Sequence, residues 1–171
     1  CLMELLYATG LRVTELVSLP VAATRGNPEL LMVRGKGGKE RIVPVGEPAE
    51  AALAEYVRLR DEHVGNAGCS KWLFPSRGGH LTRHRFAQIL KKLAIEAGLP
   101  PEKVSPNVLR HAFASHLLAN GVDLRGLQKL LGHADISTTQ IYTHVIDARL
   151  RDLVARAHPL AMAARRAYMV N

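Results

Sequence analysis

Residues 105–132 read SPNVLRHAFASHLLANGVDLRGLQKLLG, and the punctuation in that run leaves little conformational freedom. Ser105 can accept a hydrogen bond from an otherwise orphaned N–H in a helix's first turn. Pro106 suits the first helical position, where the N–H it lacks would have had no partner. Apolar residues then recur at helical spacing to about Asn120, and Gly121 can take the left-handed conformation that ends a helix. Asp123 repeats the start signal and Gly132 repeats the stop. Two consecutive helices, each with one apolar face, must bury those faces against other elements, so the run belongs inside a largely helical domain. Further on, Ser137 caps a short helix carrying Tyr142, and Asp147 caps a last one from Ala148 to about Ala157.

This region also carries chemistry. Arg110, His133 and Tyr142 can each act on a phosphate. A guanidinium grips two phosphate oxygens at once, and an imidazole donates a hydrogen bond or moves a proton near neutral pH. A tyrosine hydroxyl, once activated, can attack and form a covalent intermediate.

Upstream, Leu2, Leu5 and Leu6 share one face of a helix that Gly10 can end. Leu11 to Leu19 reads as a second short helix with Arg12 at its start, Leu16 and Leu19 inward, and Pro20 as the stop. Taken alone, Arg12 reads as a solvated surface arginine. Leu30–Val33 and Arg41–Val45 are short β-branched runs around RGKGGKE, the pattern of a β-hairpin. The run is not a P-loop: Glu40 stands where that motif needs Ser or Thr, and a strand follows it. A hairpin carrying Arg34, Lys36, Lys39 and Arg41 can touch a backbone phosphate, or it can be a wet basic turn.

Pro48 to about Val64 forms a helix with Ala52, Leu53, Tyr56 and Leu59 inward, and Asn66–Ser70 is loop. Trp72, Leu73 and Phe74 make a buried extended segment. Thr82 caps a helix to about Ala97, with Phe86, Ile89, Leu90 and Leu93 toward the core. Arg83, His84, Arg85, Lys91 and Lys92 make its other faces basic, which suits a DNA backbone or plain solvent equally. The fold class expected is mainly α with a small antiparallel β-sheet (α+β). One domain spans 1–171, with a core to about 158 and a tail over 159–171.

The charge balance favours an anionic partner. Twenty-three Lys and Arg against fifteen Asp and Glu give a net charge of +8, which favours nucleic acid. Aromatic residues are only 5%, too few for a surface that works mainly by stacking single-stranded bases. Cys1 and Cys69 make no metal or redox pattern, and a reducing cytoplasm is the expected compartment. No signal peptide and no membrane-spanning apolar run is present in these residues. The chain starts inside an apolar helical pattern without an initiator methionine, so it reads as a domain of a longer protein.

Together, Arg12, Lys36, Arg110, His133 and Tyr142 make a set that can move a phosphodiester without a metal. The sequence here resembles the catalytic domain of the tyrosine recombinases (the integrase family), nearest to the bacterial Xer type. The resemblance rests on LLYATGLRVTEL, VRGKGGKERIVPVG, LFPS, SPNVLRHAFASHLL, LLGHADISTTQIYTH and RLRDL, in that order, from the first residue to about Pro159. It implies that Tyr142 is the nucleophile, leaving a 3′-phosphotyrosyl link and a free 5′-hydroxyl. Arg12 and Arg110 would clamp the scissile phosphate, Lys36 would protonate the 5′-oxygen, and His133 would hydrogen-bond the phosphate. No cofactor, neither ATP nor metal, is implied. The implied partners are a double-stranded DNA recombination site and a homo- or hetero-tetramer on paired sites, with the segment from Ala148 docking on a neighbour and an N-terminal DNA-binding domain closing the clamp. Arg34, Lys39, Arg41, Arg83 and Arg85 are the candidate DNA-backbone contacts.

One position departs from the pattern. The family usually has His-x-x-Arg, and here Asn107 stands three residues before Arg110. Asparagine can donate to a phosphate but cannot take the tyrosine's proton. The neighbouring His111 points about 100° away around the helix. Three readings therefore stand. They are an active recombinase, a DNA-binding or assembly module with impaired chemistry, and a metal-dependent phosphoesterase, against which the scarcity of clustered Asp, Glu and His counts.

Overall fold

The computed structural model describes residues 1–64 and 70–132, apart from the side chains at 36, 61–64 and 124. Its first helix, α1 (Leu2–Thr9), ends where Gly10 takes φ 59° and returns its N–H to the carbonyl of Leu6. Gly10 is demanded twice. The left-handed conformation disfavours a side chain, and a Cβ there would lie 2.3 Å from the Phe113 ring of a later helix. Helix α2 (Val13–Val17) follows directly. It is shorter than the Leu11–Leu19 expected, because Arg12 is extended at its N-cap and Ser18 closes it.

A 3₁₀ turn at Val21–Thr24 leads into β1 (Leu30–Arg34), which pairs antiparallel with β2 (Glu40–Pro44). The register runs from Leu30 opposite Pro44 to Arg34 opposite Glu40, as a hairpin requires. Gly37 and Gly38 both take positive φ in the tip, which explains the glycine pair. Helix α3 (Glu47–Val64) lies against α1. A miniature hairpin, β3 (Pro75–Ser76) with β4 (Gly79–His80), precedes α4 (Arg83–Glu96). Last come α5 (Pro106–Ala119) and α6 (Leu124–Leu131). The side chains of Thr82, Ser105 and Asp123 each accept an N–H from the first turn of their helix, and Gly132 ends α6 at φ 68°. The class is mainly α with small antiparallel sheets.

The apolar core has two parts. The larger holds Leu5, Leu6, Leu16, Leu31, Val43, Leu73 and Phe86, and the smaller holds Phe113, Leu117, Val122, Leu127 and Leu130. Helix α1 joins them. Leu5 and Leu6 enter the first while Tyr7 packs on the second and hydrogen-bonds Nδ1 of His116 at 2.7 Å.

One expectation fails here, and one burial was not expected. Leu93 is 39% exposed, and Ala94 is buried in its place. The inward row of α4 runs Phe86, Leu90, Ala94 in steps of four, so it winds past the seven-residue position. Arg60 is buried, which periodicity did not indicate. Its guanidinium donates to the carbonyls of Ser70, Trp72 and Leu73, and Tyr56 also donates to Leu73. An extended segment with unpaired carbonyls is thus fastened to α3 by polar side chains. The loop from Asn66 to Cys69, the helices of Tyr142 and Ala148, and the tail from Pro159 lie outside the described residues. No described helix is long and apolar enough to cross a membrane.

Replacing Gly10 with Ala should destabilise the fold by more than about 2 kcal/mol, since a left-handed alanine alone costs roughly 1–2 kcal/mol before the Phe113 clash is counted. A urea melt of Gly10→Ala beside the wild type measures it.

Candidate active site

Arg12 owes its place to the break between α1 and α2. As N-cap it is extended, φ −67° and ψ 145°, and three residues on Glu15 turns its carboxylate back to the Arg12 backbone N–H at 2.9 Å. That is half of a capping box, and it satisfies one orphan donor of α2. The Arg12 guanidinium donates to the same carboxylate, Nη1 to Oε1 at 3.2 Å, while remaining 39% exposed.

Glu15 is only 6% exposed and holds a second arginine. Arg41 reaches from β2 and grips it two-pronged, Nη1 to Oε1 at 2.9 Å and Nη2 to Oε2 at 2.8 Å. Burial alone would push the Glu15 carboxyl up. The hydrogen bonds from Arg41 and from the Arg12 backbone, with the charges of both arginines, outweigh it and hold the carboxyl below its ordinary range.

Arg110, one turn into α5, donates through Nη1 to the carbonyl of Gly10 and through Nη2 to that of Leu131 at 2.9 Å. It therefore fastens α5 to the end of α1 and to the end of α6, one residue before Gly132. Burial and then the repulsion of Arg12 draw its pKa down to about 10, with Glu15 opposing and Arg41 adding to the repulsion. It stays charged at neutral pH. Among the described residues, three guanidiniums thus gather around one carboxylate. Guanidiniums so placed suit an anion with several oxygens.

The other predicted residues are distributed as follows. The backbone of Lys36 opens the 3₁₀ turn Lys36–Gly38 at the hairpin tip. Its neighbour Gly35 lies over the ion pair, where a Cβ would be 3.4 Å from Arg41 Nη1 and 3.6 Å from Glu15 Oε1. Arg34 is exposed and leans over Gly38, and Lys39 is exposed beside it. Arg83 and Arg85 are exposed in the first turn of α4, Arg85 donating to Gln88 at 3.2 Å. Asn107 is exposed, one helical turn before Arg110. The side chain of Lys36, together with His133 and Tyr142, lies outside the described residues. Arg12 and Arg110 are brought together; Arg41, expected on the DNA-facing tip, is turned inward instead. Glu15 escaped the sequence reading, although an acid three residues after a helix start is the signal that finds it.

Residues 1–149 match the phage integrase family. Tyrosine recombinase XerD of Bradyrhizobium diazoefficiens is 58% identical over 168 residues, covering 94% of this chain and 52% of the relative. Tyrosine recombinase XerC of Erythrobacter litoralis is 59% identical over 160 residues, covering 94% and 50%. The chain therefore spans about half the length of the curated relatives it matches. Among solved structures, XerA recombinase is 36% identical with a TM-score of 0.67, covering 91% of this chain and 56% of that one. The XerH recombinase bound to its difH substrate in a pre-cleavage complex is 29% identical with a TM-score of 0.66, covering 90% and 45%.

The Glu15 cluster sets an acid limit on stability. A carboxyl whose folded pKa is lowered stabilises the fold fully above its unfolded value of 4.5, and that contribution is lost as pH falls through the lowered folded value. Between pH 5 and 3 the wild type should therefore lose stability more steeply than Glu15→Gln, which cannot titrate. Urea midpoints across that range measure the difference.

Proposed function

Because the chain belongs to the phage integrase family, we propose that it is the catalytic half of a site-specific DNA recombinase that cuts and rejoins DNA through a tyrosine. The observation that carries this is the meeting of Arg12 and Arg110, from distant parts of the chain, around the Glu15 carboxylate. A scissile phosphodiester bound there brings its non-bridging oxygens to both guanidiniums. As negative charge builds on the non-bridging oxygens, preorganised guanidiniums stabilise the transition state more than the ground state.

The chemistry then follows from the residue types. The Tyr142 oxygen attacks phosphorus and gives up its proton to water, since Asn107 cannot take it; the bond to the 5′-oxygen breaks, and a 3′-phosphotyrosyl link forms. Lys36, on the hairpin beside the cluster, gives its proton to the leaving 5′-oxygen, and His133 hydrogen-bonds the phosphate. One phosphodiester is exchanged for another, so the bond energy is kept and no ATP is consumed. A 5′-hydroxyl from another strand reverses the step and completes the exchange. On this reading the protein resolves chromosome or plasmid dimers in the cytoplasm, with four subunits on two paired sites and the segment from Ala148 reaching a neighbour. Arg34, Lys39, Arg83 and Arg85, all exposed, contact the DNA backbone.

Asn107 is the position that favours a second reading. An exposed asparagine one turn before Arg110 can hydrogen-bond a phosphate but cannot accept the tyrosine's proton. A module that binds DNA and cleaves it poorly would look the same.

One assay tests both readings. A nicked duplex carrying an Xer-type site is incubated with the protein in chelator, and a DNA-linked band is sought on a denaturing gel. The band should form, vanish in Tyr142→Phe, and form faster in Asn107→His, within the ~10²–10⁴-fold range of general base assistance. A band only in Asn107→His would favour the impaired module, and a band that persists in Tyr142→Phe would sink the tyrosine mechanism. DNA binding supplies a further check. Arg83→Ala and Arg85→Ala should each weaken binding and lower the slope of log affinity against log salt by about one contact.

A further inference from the structure

The sequence groups Arg41 with Arg34 and Lys39 as hairpin cations, but the strand pairing separates them. Arg41 stands directly opposite Val33, and opposed residues of an antiparallel pair share a face. Val33 is buried, so Arg41 is carried inward, while Arg34 and Glu40, the next pair along, point the other way. Arg41 keeps only 18% of its side chain exposed and spends both terminal nitrogens on Glu15. Its guanidinium is also enclosed by two backbone turns. A Cβ on Gly35 would lie 3.4 Å from its Nη1, and one on Gly132 would lie 3.0 Å from its Cζ. Those glycines immediately precede Lys36 and His133 in the chain.

We infer that Arg41 is a positioning residue for strand cleavage: it fixes Glu15, Glu15 fixes Arg12, and Arg41 itself does not hold DNA. The inference rests on the recombinase reading above. A carboxylate with two oxygens can orient Arg12 only if its own rotation is stopped, and a two-pronged guanidinium stops it. Lysine, a point charge, cannot. Small misplacements of a clamping group cost rate far more than they cost binding.

The test uses the whole chain and the nicked duplex described above, made with either oxygen or sulfur as the 5′-bridging atom of the scissile phosphate. A sulfur leaving group needs no proton, so it rescues loss of the general acid but not loss of the clamp. Arg41→Gln and Arg41→Lys should slow adduct formation about 10- to 100-fold. Affinity and salt slope should stay within about twofold of the wild type, and sulfur should give no rescue. Lys36→Ala should be rescued. Glu15→Gln combined with Arg41→Gln should be no slower than the worse single variant, because both act through one link. Urea melts give the folded fraction for each, and Arg41→Lys keeps the charge if Arg41→Gln folds poorly. Weaker binding with a shallower salt slope would make Arg41 a DNA contact and overturn the inference. So would rescue by sulfur, which would tie Arg41 to Lys36. Nuclear magnetic resonance of the arginine side-chain N–H groups, without DNA, separates this from failure of the function. Should even the wild type form no adduct, the recombinase reading falls. The Arg12 signals then decide: lost order in Arg41→Gln upholds the link from Arg41 to Arg12, and unchanged order overturns it.

Discussion

Among the described residues, one buried carboxylate with three guanidiniums around it sets the arrangement. Glu15 must be ionised to be worth burying, and it is ionised because Arg41 and Arg12 are there. Arg41 and Arg12 come from different elements, so the pair welds the hairpin to α2. Arg110 approaches the same cluster from α5 and is repelled by it, yet it is retained by the carbonyls of Gly10 and Leu131. Those carbonyls belong to helix ends, where the helix dipole is negative and a cation is welcome. The fold thus holds like charges together by paying each of them locally with backbone and carboxylate oxygens.

This explains why the helix ends are so tightly specified. Gly10 must leave its carbonyl pointing at Arg110 and must also let Phe113 pass within contact of its Cα. Gly132 must end α6 without a side chain because Arg41 occupies the space. Each glycine is therefore both a stop signal and a clearance, Gly10 for Phe113 and Gly132 for Arg41. On the recombinase reading, the chain that leaves Gly132 carries His133 and Tyr142, so α6 is aimed by the arginine that also clamps the phosphate.

Local features were legible in the sequence and tertiary ones were not. Ser105, Asp123, Thr82 and Gly132 act within a turn of their own position, and each does what its type predicts. The hairpin was legible because two β-branched runs flank a glycine pair. The roles of Arg41 and Arg34 were not separable, because the two differ only in which face the register gives them, and register depends on the partner strand. Arg60's burial left no signal in the sequence, because its partners are carbonyls of a segment with no helical or strand period of its own. The two-residue strands β3 and β4 are too short to leave any period. The resemblance supplied what local reading could not, the pairing of Arg12 with Arg110 across the length of the domain.

Burial divides the positive charge into two kinds. Arg34, Lys39, Arg83 and Arg85 are exposed, and charges in water are screened within about 10 Å at ordinary salt. They can draw in a polyanion of any sequence and release it when salt rises. Arg41 and Arg110 are half-buried, where the effective dielectric is lower and their orientation is fixed by oxygens already bonded. On the recombinase reading such groups discriminate by position: Arg110 acts on the one phosphate placed at the cluster, and Arg41 acts only by fixing Glu15 and, through it, Arg12. With aromatic residues at 5% of the chain, base stacking is a weak source of affinity. On the same reading, affinity comes mostly from the exposed cations and chemical selectivity from the buried ones. A domain built that way would let go of its DNA without disturbing the geometry that cuts it.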